Sequence, residues 1–197
     1  MQQDAQNLDP LREPHRADLP GWALPPLPRH RLRLVLDQVR SAYNVGALFR
    51  TADGCAVERV YLLGYTPHPP HQQLEKTALG ATGYVPWEHR DSSHGLLDEF
   101  SREGYEAVAL ETGEDAVPIW DFEWPERTAL VVGNEVEGVS AEVLRACRRK
   151  ICLPMFGYKA SLNVTTALGV AMFEYLRAWS LDSGGSRAGL PPAGSEN

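Results

Sequence analysis

The 197-residue chain has little cysteine and no long apolar run. Its three cysteines, Cys55, Cys147 and Cys152, form no C-x-x-C pair and leave one over. A disulfide framework or zinc ribbon is therefore not expected, and a reducing cytoplasm is the default compartment. No stretch approaches the roughly 18–20 apolar residues of a membrane span. The opening MQQDAQNLDP lacks the apolar centre of a signal peptide. No G-x-G-x-x-G follows an apolar strand and there is no Walker A sequence, which argues against a dinucleotide enzyme or a P-loop NTPase. His68-Pro-Pro-His71 spaces two histidines, but the prolines preclude a shared helix face and no further ligand follows nearby, so no metal site is expected. No Ser/His/Asp or Cys/His constellation is legible.

The net charge of −7 gives no obvious partner for a polyanion, but its distribution does. Residues 29–50 carry five arginines against Asp37, a net +4. Residues 143–160 carry Arg145, Arg148, Arg149, Lys150 and Lys159 with no acid, a net +5. The segment between, residues 91–142, is net −12. Local fields steer partners, so with two basic segments beside an acidic middle the total alone does not exclude a polyanion.

The first 28 residues hold six prolines and no clear period, and read as an arm. The stretch from Asp182 to Asn197 is rich in Gly, Ser and Pro and reads as a disordered tail. Between them, residues 29–181 form one domain. LRLVLD (32–37), VYLLGY (60–65), YEAVALE (105–111), TALVVGN (128–134) and KICLPM (150–155) read as short buried strands. Helical patterns lie over 44–53, 72–79, 92–102, 140–148 and, longest, 162–181. This alternation predicts an α/β fold with a mostly parallel sheet and helices on both faces. Ligands in such sheets sit at the carboxyl ends of the strands.

Three segments after strands stand out. The first holds Asn44, Gly46 and Arg50: Asn44 can cap a helix, Gly46 permits close backbone approach, and Arg50 lies off the Asn44 face. By itself this is also what a capped helix with one surface arginine looks like. The second, Gly133-Asn-Glu135-Val-Glu-Gly138, is a turn that exposes backbone amides and carbonyls, and could be an ordinary strand-to-helix turn. The third places Ser161, Asn163, Thr165 and Thr166 at the head of an apolar helix. One N-cap needs only one of them, and the surplus points to a polar site.

Taken in order, these segments resemble the three motifs of the SpoU/TrmH family within the SPOUT superfamily. Asn44-x-Gly46-x-x-x-Arg50 is similar to the first, Gly133-x-Glu135-x-x-Gly138 to the second, and Ser161-Leu162-Asn163-Val164 to the third. Lys76-Thr-Ala-Leu-Gly80-Ala also resembles the family, and Thr165 stands where many relatives carry Ser. The likeness runs over residues 32–180.

What the resemblance implies is an RNA ribose 2′-O-methyltransferase that uses S-adenosylmethionine. It implies a C-terminal deep trefoil knot, an exception to the general rule against knots, and a homodimer with the site completed across the interface. Leu110, Gly133, Leu153 and Leu162 would line the cofactor pocket. Arg50 would be central to catalysis, with Asn44, Ser161 and Asn163 orienting it or the ribose and Glu135 buttressing them. The substrate would be tRNA or rRNA. Arg29, Arg31 and Arg33 before the first strand, and Arg145, Arg148, Arg149 and Lys150 before the fifth, would contact RNA phosphates. The Leu168–Trp179 stripe of the last helix could pack across the dimer or simply in the core. The competing reading is a non-catalytic RNA-binding or assembly protein of the same fold. Joint presence of Arg50, Glu135, Ser161 and Asn163 argues against it.

Overall fold

The computed structural model describes residues 29–182. The arm expected over residues 1–28 lies outside the described residues, as does the expected tail apart from Asp182. In chain order the elements are β1 (His30–Asp37), α1 (Ala42–Gly54), β2 (Val57–Leu63), α2 (Gln72–Ala78), β3 (Trp87–Arg90), α3 (Leu96–Arg102), β4 (Glu106–Leu110), β5 (Val117–Pro118), β6 (Thr128–Val132), α4 (Ala141–Ala146), β7 (Arg149–Cys152) and α5 (Val164–Asp182). The seven strands form one sheet in the order β3-β2-β1-β6-β4-β7-β5, and each neighbouring pair is parallel.

The apolar runs form strands because the sheet is covered on both faces. All of β6 is buried between β1 and β4, so Thr-Ala-Leu-Val-Val shows no polar alternation. Leu34 and Leu36 of β1 pack on one face with Val45, Leu48 and Phe49 of α1, Leu74 of α2, and Leu168, Met172 and Tyr175 of α5. Val35 points the other way, onto Leu96, Leu97 and Phe100 of α3 and Val143 of α4. The last helix therefore turns its Leu168/Met172/Tyr175 stripe into the core, not toward a partner. Its exposed apolar side chains are Val170 and Phe173, 42% and 60% accessible.

The five strands read from the sequence are all present. Two were not legible: β3 is a four-residue edge strand, half-buried throughout, and β5 has only two residues. The helix expected from residue 92 begins only at Leu96, because Gly95 before it is left-handed at φ 72°. The cap of α1 is Ser41 rather than Asn44: the Ser41 hydroxyl accepts from the Asn44 N–H at 3.2 Å, which puts Asn44 inside the first turn. His71 caps α2, with Nδ1 facing the Leu74 N–H at 3.4 Å. Among the described residues no helix is long and apolar enough to cross a membrane.

Gly46 lets α1 and α2 meet backbone to backbone. A Cβ there would lie 2.1 Å from Thr77 Oγ1 and 2.2 Å from the Leu74 carbonyl oxygen. Gly46→Ala is expected to destabilise the domain by about 1–3 kcal/mol through overpacking, despite alanine's better helix propensity. A lower urea midpoint checks this; an unchanged midpoint would mean that the two helices part at no cost.

Candidate functional site

The loops after β4, β6 and β7 meet at one end of the sheet and enclose a cavity of about 440 Å³. This is the carboxyl end of the strands, where open parallel sheets take ligands. Leu110 follows from β4, Gly133 from β6 and Leu153 from β7, and Leu162 closes the wall before α5. Glu135, Ser161 and Asn163 line the same cavity. Of the nine residues expected to form the catalytic and cofactor sites, seven therefore share one wall.

The Gly133–Gly138 turn is a rigid piece of that wall. Asn134 and Gly138 exchange backbone hydrogen bonds, both 2.9 Å long. The Asn134 side-chain oxygen accepts from the N–H groups of Val136 and Glu137, at 2.8 and 3.0 Å. Its amide donates to the Gln38 carbonyl and to Tyr65 Oη, which tie the turn to the ends of β1 and β2. Gly133 meets Gly138 so closely that a Cβ on Gly133 would fall 2.1 Å from the Gly138 carbonyl group. Gly138 itself has φ 73°, the left-handed conformation that favours glycine.

Glu135 joins this turn to α1. Its carboxylate accepts from the Arg40 N–H at 3.0 Å, the Ser41 N–H at 3.2 Å and the Asn44 amide at 2.9 Å. An anion on the free N–H groups ahead of a helix is favourable both as a hydrogen-bond acceptor and against the helix dipole. Partial desolvation pushes the Glu135 carboxyl up, and the donors of Arg40, Asn44 and Ser41 more than reverse it, leaving it below the ordinary carboxylate value. The chain of contacts continues to the third segment, where Asn163 donates its amide to Asn44 Oδ1 at 3.4 Å. Asn163 also caps α5, its Oδ1 accepting from the Thr165 N–H at 2.9 Å and from the Thr165 hydroxyl. One polar side chain thus serves the helix and a second, Ser161, is left facing the cavity.

Arg50 is not part of the cavity wall. It sits exposed on α1 and makes no hydrogen bond or ion pair among the described residues. The basic segments also divide. Arg33 is 11% exposed, pairs with Glu58 and Glu103 at 2.7 and 2.6 Å, and stacks over the Tyr105 ring at 3.9 Å. That corrects its expected role: its charge is spent inside the fold and cannot reach a phosphate. Arg29 donates to the carbonyls of Val57 and Tyr84. Arg149 pairs with Glu106 and stacks on Phe122, and Lys150 pairs with Asp115. Among the described residues Arg31 makes a long 3.5 Å contact with the exposed Glu126 and no closer ion pair. Arg145 and Arg148 are exposed and line a second cleft of about 510 Å³ together with Lys150.

Sequence reasoning missed Ser41 as the cap, Asn134 as the staple of the turn, and Glu111. Asparagine's tendency to bond backbone two or three residues on was a usable signal for Asn134. Glu111 carried none: its Oε2 accepts from the Val139 N–H, 28 residues away, at 3.0 Å.

The cavity walls state what they can hold. Leucines 110, 153 and 162 offer flat apolar contact, and the glycine turn offers backbone polar groups. Two carboxylates line it, and no lysine or arginine among the described residues does. Fold and site thus define a doubly wound α/β protein whose cavity, without lysine or arginine among the described residues lining it, is made by the loops after β4, β6 and β7.

The chain belongs to the SpoU rRNA Methylase family, which it matches over residues 31–173. It is 33% identical over 142 residues to the tRNA (guanosine(18)-2′-O)-methyltransferase of Aquifex aeolicus, covering 72% of this chain and 66% of that one. It is 33% identical over 174 residues to the 23S rRNA (guanosine-2′-O-)-methyltransferase RlmB of Pasteurella multocida, covering 86% and 69%. Among solved structures it resembles the AdoMet-bound rRNA methyltransferase from Sinorhizobium meliloti, with TM-score 0.68, 25% identity, and 74% and 56% coverage. The matched part spans only 60% and 66% of the length of the first curated relatives.

Proposed function

We propose that this protein transfers a methyl group from S-adenosylmethionine to a ribose 2′-hydroxyl of tRNA or rRNA, and does so as a homodimer. The observation that carries the reading is the hydrogen-bonded series Asn163–Asn44–Glu135 at the edge of a nucleoside-sized cavity without cationic walls. All three motif segments contribute to it. The names of the relatives support the same chemistry.

When bound, S-adenosylmethionine supplies an electrophilic methyl on a good sulfonium leaving group. Leu110, Leu153 and Leu162 would hold its adenine, and the backbone of Gly133 would present polar groups to it. Glu135 fixes Asn44 and the start of α1 against the cofactor loop, so that ribose and donor are held in one frame. Ser161 and Asn163 orient the ribose. Arg50 clamps the neighbouring phosphate with its planar fork and stabilises the alkoxide that forms as the 2′-hydroxyl loses its proton to solvent.

Because Arg50 is absent from the cavity wall of its own chain, a second copy is the natural supplier of the complementary half. The exposed Val170 and Phe173 of α5 support a contact there. The C-terminal segment, in which α5 returns from β7 to pack against α1 near Thr51, is proposed to be threaded as a trefoil knot. Arg145 and Arg148, with Arg31, are proposed as the phosphate contacts, so RNA affinity should fall with salt.

The test is to incubate the protein with methyl-labelled S-adenosylmethionine and bulk tRNA or rRNA, then digest with alkali. Label in alkali-resistant dinucleotides is the expected result, since a 2′-O-methyl blocks cleavage. Label only in mononucleotides, or none, overturns the proposal. Ribose-methylation mapping of total RNA from a strain lacking the gene then identifies the position.

A further inference from the structure

Glu111 and Glu135 are the two carboxylates that line the cavity. Glu111 follows Leu110 directly at the end of β4. Both of its oxygens are held by backbone donors: Oε1 accepts from the Thr112 N–H at 2.9 Å and Oε2 from the Val139 N–H at 3.0 Å. Gly138 leaves room for it, since a Cβ at that position would lie 2.3 Å from Oε2. The Thr112 hydroxyl adds a long 3.5 Å contact to Oε1; a carboxylate accepts about four hydrogen bonds in all, so acceptor capacity is still left free. The other wall carboxylate, Glu135, is instead turned to Arg40, Ser41 and Asn44.

We infer that Glu111 recognises the ribose diol of the bound nucleoside, and so selects a ribonucleoside cofactor over a deoxy one. The placement follows from Leu110. Leu110 and Glu111 are neighbours that both line the cavity, so with an adenine held at Leu110 the Glu111 carboxylate, one residue or about 3.3 Å of chain further on, would lie beside the sugar attached to that base. Vicinal hydroxyls donate two hydrogen bonds that a fixed carboxylate accepts at little ordering cost, the same solution that dinucleotide folds reach with an acidic residue on the ribose. The inference rests on the cavity being the cofactor site.

The experiment is calorimetric binding of S-adenosylhomocysteine and its 2′,3′-dideoxy analogue to the full chain, as wild type, Glu111→Ala and Glu111→Gln. Wild type is expected to prefer the diol by about 10- to 100-fold, the range for charge-assisted hydrogen bonds. In Glu111→Ala the preference should shrink to within about threefold, chiefly by weaker binding of the diol ligand. Glu111→Gln keeps an acceptor for the Val139 N–H and so holds the loop, and its preference should fall about tenfold. It also serves if the alanine variant fails to fold. An undiminished preference in the variants overturns the inference, and so does an equal loss for both ligands, which means that Glu111 acts only by holding the turn. Binding of neither ligand to wild type overturns the cofactor reading itself.

Discussion

Arg50→Ala is expected to lower methyl transfer by at least about 10²–10³-fold while leaving cofactor affinity and stability nearly unchanged. The separation follows from where the side chain lies. Arg50 is exposed on α1, lines no part of the cofactor cavity and has no partner among the described residues, so truncation strands no charge and opens no core space. Surface changes of that kind fall within about 0.5 kcal/mol. Activity is measured with saturating RNA, affinity by calorimetry and stability by urea unfolding. Wild-type turnover in the variant would remove Arg50 from the mechanism. Arg50→Lys keeps the charge and loses the planar fork, and is expected to rescue only in part.

Gly133→Ala should be the most damaging single-methyl change at the site. The added Cβ would stand 2.1 Å from the Gly138 carbonyl carbon and oxygen and 2.2 Å from the Val139 nitrogen. These are backbone atoms, so no rotamer relieves the clash and the turn must open. The mutual Asn134–Gly138 hydrogen bonds and the Glu111 and Glu135 attachments then move with it. A stability loss of about 3 kcal/mol is expected, at the upper end for overpacking. Cofactor affinity should fall by about 100-fold or more, equivalent to about 3 kcal/mol. The cause is the lost backbone surface rather than backbone strain, because Gly133, unlike Gly138, is not in the left-handed region. An affinity within about threefold of wild type would show that the turn is not part of the cofactor wall.

How much of the site was legible is best seen residue by residue. Ser161 and Asn163 stood out because a helix start needs one capping group and this one had four. Their division of labour, Asn163 as cap and Ser161 toward the cavity, needed coordinates. The arginines show the limit of counting charge. Arg33 and Arg145 look alike in the chain, yet Arg33 is enclosed by Glu58, Glu103 and Tyr105 while Arg145 is exposed on α4. Those partners lie 25 or more residues from Arg33, beyond any local pattern.

The sequence by itself determined the alternation of strands and helices, and with it the parallel sheet covered on both faces. Buried strands must be continuously apolar and amphipathic helices must repeat every three to four residues, so both periods are written locally. It also marked three segments after strands, two by glycines and one by a surplus of small polar groups, whose order resembles the motifs of one family. Only the tertiary structure decided that β6 lies between β1 and β4, which brings the Gly133 turn against the start of α1. It alone decided that Glu135, Asn44 and Asn163 form one series, that Glu111 faces the cavity, and that Arg33 is paired inside the fold. These depend on contacts between residues as many as 119 positions apart. Such contacts are set by strand order and register, which leave no mark on the residues around them.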